Sequence, residues 1–285
     1  MELTELRKAA HLSASSIGDY IDCGLLYKFG RIDKIQMEYK SDALEFGSAI
    51  HLALADFHHE KMRGNWQTTK ELHDCFEAHW RRITDGRQDI HYSEGSSVET
   101  LLLQGKELLT QYYNKSSWRE FECIAIEEAF SFTFPGCDIP IIGAIDLVEQ
   151  DKAGTVIITD FKTSGKAYSN DDVDRNFQLT LYQMASKANG YGDSDILLRF
   201  DCLIKTKQPK FESYYTTRSN IDEIRARRKI IEVAKGIDAA YLFPMTALEI
   251  GNANTAHSRK TVMPGLWRKR HDKTRHSRST GISDH

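Results

Sequence analysis

The chain has 285 residues, 40% hydrophobic and 28% charged, and its 38 Lys or Arg against 41 Asp or Glu give a net charge of −3. This apolar content excludes a disordered chain, and 18 Gly with 5 Pro exclude a collagen-like one. Near-neutral charge neither demands nor forbids a nucleic-acid partner, because a local basic groove can sit in an acidic body.

The length suits two average domains or one large α/β domain. No run of 18 apolar residues occurs, so no transmembrane helix is expected. The opening Met-Glu-Leu-Thr-Glu-Leu-Arg-Lys lacks the apolar core of a signal peptide. Cys23, Cys75, Cys123, Cys137 and Cys202 are odd in number and form no C-x-x-C pair, which points to free thiols and a cytoplasmic location.

The first third reads as helical. Ser13 or Ser15 can cap a helix running through Ile17, Tyr20, Ile21, Leu25, Leu26 and Phe29. A second helix, about 43–62, carries the stripe Phe46, Ile50, Leu54 and Phe57. A third covers about 69–83 and a fourth about 98–113, with a loop at Asp85-Gly-Arg-Gln-Asp89 between them. The period then changes. Segments 123–134, 139–150 and 155–162 are rich in β-branched and aromatic residues and are separated by turn-like Pro135-Gly-Cys-Asp138 and Asp151-Lys-Ala-Gly154, which predicts an antiparallel meander. A helix near 176–189, strands near 196–205 and 211–217, and a long helix near 221–241 follow, the last with Ile224, Ile231, Ala234 and Ile237 as its buried face. From Gly251 to His285 the chain holds eight Lys or Arg, two Asp and four His with little apolar period. It reads as a flexible basic tail, or as an arm that contacts phosphates.

The most informative stretch is Ile141-Ile-Gly-Ala-Ile-Asp-Leu-Val148, a turn, then Val156-Ile-Ile-Thr-Asp-Phe-Lys-Thr163. Asp160 and Lys162 are two apart on a strand and so share a face. Antiparallel pairing can bring Asp146, near the end of its strand, close to Asp160, and two adjoining carboxylates suit Mg2+ or Mn2+. A neighbouring lysine can orient water or neutralise charge on a phosphate. The competing reading makes all three ordinary strand-end charges. His51 on its helix is by itself a satisfied core or surface histidine. Gln178 and Tyr182, one helical turn apart, are by themselves a surface pair with Tyr182 half-buried. No G-x-x-x-x-G-K-[ST] loop, G-x-S-x-G elbow or H-E-x-x-H pair occurs, so ATP hydrolysis would need a helicase partner. Tyr168, Tyr191, Tyr214 and Tyr215 could stack on bases but are better explained as core or strand residues.

In order along the chain, Leu12-Ser-Ala-Ser-Ser-Ile-Gly-Asp-Tyr20 with Asp22-Cys23 and Tyr27-Lys-Phe29, Phe46-Gly-Ser-Ala-Ile-His51, Gly143-Ala-Ile-Asp146, Asp160-Phe-Lys162 and Gln178-Leu-Thr-Leu-Tyr182 resemble the motifs of the PD-(D/E)XK nuclease superfamily, in its RecB-like exonuclease branch, related to CRISPR-associated nucleases. The resemblance implies an α/β fold with a restriction-endonuclease-like core. A central mixed sheet would be flanked by helices, with a nuclease domain over 1–250 (helical portion about 1–120, core about 121–250) and the tail over 251–285. It implies that His51, Asp146, Asp160 and the carbonyl of Phe161 bind Mg2+ or Mn2+, that Lys162 is the catalytic lysine, and that Gln178 and Tyr182 contact the DNA backbone. Glu127 would be a secondary ligand or simply a charged strand residue. His58 and His59 match no motif and read as surface residues. Many members of the branch hold an iron–sulfur cluster with one early and three late cysteines. Cys23 stands at the early position, but no cysteine follows Cys202, so no cluster is expected and Cys23 reads as a small buried hydrophobe. The basic C-terminus is natural divergence or an altered reading frame. The expected activity is metal-dependent hydrolysis of single-stranded DNA or DNA ends by an exonuclease, in recombination, repair or phage DNA processing, with DNA and a helicase or recombination protein as partners and no membrane. The alternative is a catalytically idle nucleic-acid-binding scaffold.

Overall fold

The computed structural model describes residues 2–116 and 119–239. The expected tail over 251–285 lies outside these residues. The described residues divide into two compact units, one within 2–14 and 36–227, the other within 15–35 and 228–239.

The larger unit opens with a short helix α1 (Leu3–Leu6). Leu12 then runs alongside the sheet, its N–H donating to Pro140 O and its carbonyl accepting from Ile142 N. Three long helices follow. In α4 (Asp42–Met62), Ser41 caps the N-terminus by accepting from Ala43 N. In α5 (Thr69–Thr84), Thr68 and Glu71 form a reciprocal capping box. α6 (Val98–Ser116) completes the layer. β1 (Lys40–Ser41) and β2 (Ile90–His91) form a small parallel pair beside α4.

The sheet contains β3 (Glu122–Phe134), β4 (Cys137–Gln150), β5 (Val156–Ser164), β6 (Ile196–Ile204) and β7 (Lys210–Thr216), in that spatial order. β3, β4 and β5 pair antiparallel as the meander requires. β5 and β6 are parallel, and β6 and β7 antiparallel, so the sheet is mixed. The parallel pair needs a crossover, supplied by α7 (Asn170–Asp174) and α8 (Phe177–Ser186). The expected helix near 176–189 is α8 with the π-turn that follows it, and the short α7 before it was not expected. Ser169 caps α7, Asn176 caps α8, and the π-turn at Lys187–Tyr191 ends the crossover with Gly190 at φ 103°.

One core joins the helical layer to one sheet face. Phe46, Ile50, Leu54 and Phe57 of α4 pack with Leu72, Phe76 and Trp80 of α5, with Leu108, Leu109 and Tyr112 of α6, and with Leu147, Phe161, Leu203 and Phe211 of the sheet. Phe46 meets the edges of Phe76 and Trp80, each with centroids 6.0 Å apart. His58 is in this core rather than at the surface. It lies seven residues after His51, on the inward face of α4, with Nε2 2.6 Å from the Tyr112 hydroxyl and its ring stacked 6.0 Å from Phe161. A polar partner inside the core makes its burial tolerable.

In the smaller unit the first helix departs from expectation. It runs as α2 (Ala14–Asp22), breaks at Cys23 with extended backbone, and resumes as α3 (Gly24–Tyr27) and a π-turn (Lys28–Ile32). Cys23 is half-buried rather than buried. Tyr20 and Tyr27 meet edge to face at 5.8 Å, and Arg31 pairs with Asp19 at 2.7 Å. The last helix, α9 (Asn220–Asp238), begins in the larger unit, ends in the smaller, and has its buried stripe at Ala226, Ile230, Val233 and Ile237. Ile224 is 48% exposed, so apart from Ile237 the expected face was rotated about the axis. No helix among the described residues is long and apolar enough to cross a membrane.

Two outcomes follow from this packing. A Cβ on Gly105 would lie 2.2 Å from the Phe76 ring. Gly105→Ala gains about 0.5–1 kcal/mol of helix propensity but overpacks the core at a cost of about 1–3 kcal/mol, so urea denaturation should find the variant less stable. Burial, helped by Lys61, Arg199 and Arg119, holds His58 well below the ordinary histidine value of 6.5. The folded protein thus keeps His58 neutral and the unfolded chain binds the extra proton. Its contribution is complete above pH 6.5 and is lost as pH falls below that value toward the folded pKa, by up to about 1.4 kcal/mol per pH unit. Denaturation midpoints of the parent should fall between pH 7.5 and about 5.5 more steeply than those of His58→Gln. Parallel curves would remove His58 as the cause.

Candidate active site

The ladder between β4 and β5 runs from Gln150↔Val156 to Leu147↔Thr159 and stops there. β5 continues along β6 to Ser164, and β4 continues along β3. Asp146 and Asp160 are the next residues in that register, so both face the opening where the strands part. Asp146 lies four residues before the end of β4, where β4 no longer pairs with β5. Its Oδ2 accepts the Phe161 N–H at 2.8 Å, taking the place of a strand partner.

The structure brings the seven singled-out residues together as two sets of contacts that join through the backbone between Asp160 and Phe161. α4 delivers His51, whose Nδ1 lies 3.4 Å from Asp146 Oδ2 and whose ring meets the Phe161 ring edge to face. Close approach depends on Gly47, where a Cβ would come within 3.2 Å of Thr163 Oγ1 on β5. Lys162 and Asp160 share a strand face, with Nζ 2.7 Å from Asp160 Oδ2. Lys162 Nζ also donates to Gln178 Oε1 at 2.8 Å, Gln178 Nε2 donates to the Tyr182 hydroxyl at 2.8 Å, and that hydroxyl donates to Asp160 Oδ1 at 3.2 Å. The loop of contacts through α8 closes on Asp160. Tyr182 is buried rather than half-buried. Glu127 does not join: it is exposed, with a strained φ of 49°, although it stands opposite Asp146 in the β3–β4 register.

Burial raises Asp160 above the usual carboxylate range, against the pull of Lys162. Burial would lower Lys162, but the charge of Asp160 and then of Asp146 holds it above the ordinary lysine value. The two shifts conflict as an ion pair alone, which would lower the acid. Desolvation of a fully enclosed carboxylate resolves the conflict. His51 is raised because Asp146 and Asp160 outweigh its burial.

This donor set fits a hard divalent cation. Asp160 Oδ2 is buried and, despite the nearby ammonium, has no well-aligned hydrogen bond. Carboxylate oxygens with one imidazole suit Mg2+ or Mn2+. The ligand atoms of His51, Asp146 and Asp160 do not all lie within 4.8 Å of one another. Among the described residues only Asp56, Cys75 and His79 form such a trio. Asp160 is turned toward Lys162 and Tyr182, while Asp146 is turned toward Phe161 and His51.

Sequence reasoning missed several supporting residues. Phe200 lies under Lys162 at 5.1 Å, and Phe130 packs against Tyr182 at 5.9 Å. Gly143 makes room for the Phe130 ring, since a Cβ there would sit 2.5 Å from it. A buried ionic cluster on the opposite sheet face was missed as well. Arg199 Nη2 donates to Glu149 at 2.6 Å, and Arg119 donates to Asp201 at 2.9 Å and to Ser213 at 2.6 Å. Its signal was present in Ile196-Leu-Leu-Arg-Phe-Asp-Cys-Leu-Ile204, where two opposite charges interrupt an apolar strand at i and i+2.

Comparison with known proteins agrees with this architecture. No curated protein sequence matches the chain. A solved protein of Eubacterium rectale named "putative exonuclease" superposes with a TM-score of 0.50 at 14% identity, covering 80% of this chain and 82% of that one, which is a likeness of fold. The solved structure of SSO0001 covers 79% of this chain and 84% of its own at 12% identity, with a TM-score of 0.31. The family model described as the PD-(D/E)XK nuclease superfamily matches residues 11–249. With most of its length matched and a mixed sheet flanked by helices, the chain belongs to the PD-(D/E)XK nuclease superfamily.

Proposed function

We propose that the protein is a Mg2+- or Mn2+-dependent deoxyribonuclease that acts as an exonuclease on single strands or DNA ends. The observation that carries this reading is the closed set of contacts among Asp160, Lys162, Gln178 and Tyr182, set beside Asp146 and His51 where β4 and β5 part. Asp146, Asp160, His51 and the Phe161 carbonyl are the groups that would hold the ion. When bound, it supplies Lewis-acid polarisation of the phosphoryl oxygen and lowers the pKa of water. Lys162, held between Asp160 and Gln178, presents a positive charge to the phosphate as negative charge builds on its oxygens. Tyr182 fixes the orientation of both Asp160 and Gln178. Gln178 borders the path of the DNA backbone, with the buried Tyr182 behind it. Strand separation, where needed, comes from a helicase or recombination partner.

The test uses labelled single-stranded, blunt-duplex and circular DNA and an RNA oligonucleotide, with Mg2+, Mn2+ or EDTA. Shortening of linear but not circular DNA, abolished by EDTA, is expected. Asp160→Ala should remove activity, and Lys162→Ala should lower it by about 10²–10⁴-fold, both with DNA binding retained. Cleavage that is unchanged in both variants overturns the assignment. Binding without cleavage by the parent in every metal would make the chain a scaffold, and cleavage of RNA alone would change the substrate.

Tyr182→Phe separates support from chemistry. It deletes one hydroxyl but leaves every charge, so cleavage should fall less than in Lys162→Ala. Leaving a buried acceptor of Asp160 unpartnered should also lower the denaturation free energy by about 1–3 kcal/mol. Full stability with full activity would show that the hydroxyl does not hold Asp160.

A further inference from the structure

We propose that Asp56, Cys75 and His79 form a second metal site, for a thiophilic dication such as Zn2+, in the seam between α4 and α5. Cys75 and His79 are four residues apart on α5 and therefore lie on one face, opposite Asp56 on α4. All three ligand atoms lie within 4.8 Å of one another. They converge on a single carboxylate oxygen, with His79 Nε2 2.7 Å and Cys75 Sγ 3.4 Å from Asp56 Oδ2. Bonds of about 2.0–2.3 Å in a tetrahedral zinc centre place the ligand atoms about 3.3–3.7 Å apart. The cysteine–aspartate spacing already has that value, and the histidine need withdraw only about half an ångström.

The donor types set the metal. A thiolate and an imidazole select Zn2+ over Mg2+, whereas the carboxylate-rich site at the parting of β4 and β5 has the opposite preference. Three protein ligands leave the fourth position to water, and the half-buried placement of Cys75 and His79 beside exposed Asp56 leaves a path for it. The proton balance is defined. The zinc–sulfur bond forms as the Cys75 thiol releases its proton to solvent. His79 binds through Nε2 and so must carry its ring proton on Nδ1. That nitrogen is now 3.0 Å from Arg82 Nη2, a group that can only donate. The exposed Arg82 side chain therefore has to swing away, and it acts as a competitor of the metal. The bound ion ties α4 to α5 five residues beyond His51, so it stiffens the helix that delivers His51 to the sheet.

The experiment titrates chelator-stripped full-length protein with Co2+ in excess Mg2+. One equivalent should produce a thiolate-to-cobalt charge-transfer band and tetrahedral visible bands, both displaced by Zn2+. Both should vanish in Cys75→Ser and persist in Cys23→Ser and Asp160→Ala. Asp56→Asn, isosteric and on the surface, should weaken Co2+ binding by at least about 10–100-fold, the loss typical of an outer-shell partner alone. Arg82→Ala should tighten it. Zn2+ should raise the melting temperature of the parent but not of Cys75→Ser. The proposal fails if the parent shows no thiolate band, if the band survives in Cys75→Ser, or if Asp56→Asn binds Co2+ as the parent does.

Discussion

The active-site region depends on one backbone event: β4 and β5 stop pairing after Leu147↔Thr159 while each keeps its other neighbour. A buried N–H without a partner costs about 1–3 kcal/mol, and at the parting the Phe161 N–H finds one in Asp146. That single bond closes the fork and fixes the Asp146 carboxylate. It also leaves Asp160 on the facing strand free to turn toward Lys162 and Tyr182. Had the ladder continued, both acids would be side chains on a flat sheet under a helix, with no space between the strands for a ligand.

The two sheet faces use buried charge differently. On the helical-layer face, Arg199 has no exposure and sits between Glu149 and Asp201. Such a cluster adds little net stability, but losing one member costs about 3–5 kcal/mol, so it holds β4, β6 and β7 to one arrangement. On the other face, and at the fork where α4 brings His51 to Asp146, the side chains of Lys162, Asp146 and His51 keep 25%, 19% and 34% exposure. Exposure decides which network can meet a ligand. The first is sealed, and the second opens to solvent through the very groups that carry its charge.

The sequence made the periodic elements legible because a single signal governs each of them. The α4 stripe Phe46, Ile50, Leu54 and Phe57 lies inward as its spacing requires. The three-strand meander follows from β-branched runs between turns. Misreadings fall where two signals compete. His58 shares the inward face of α4 with His51, but a polar residue type argued for the surface, and only the Tyr112 hydroxyl, 54 residues away, reverses that. Ile224 looked buried by composition, yet α9 turns Ala226 and Ile230 inward instead. The break at Cys23 is announced only by Gly24, which follows it and opens α3. Within the site, the D-x-K spacing and the Gln178–Tyr182 turn were readable locally. The loop they close through Tyr182 and Asp160 was not, because it joins residues 22 apart across a crossover.

Charge sets the order in which the site can be filled on the proposed reading. Asp146 and Asp160 contribute two negative charges and Lys162 one positive, so the site has net negative charge before His51 protonates. Two unit charges about 4 Å apart interact by about 4 kcal/mol at the effective dielectric near a protein surface. A phosphodiester approaching the two carboxylates alone would meet repulsion of that order, only partly offset by Lys162. On that reading a bound dication would reverse the sign of the site, so that the same groups could receive an anion. Lys162 cannot provide that reversal, because its ammonium is already committed to Asp160 and Gln178. On the proposed reading the ion would therefore arrive before the DNA or together with it, at the fork where β4 and β5 part.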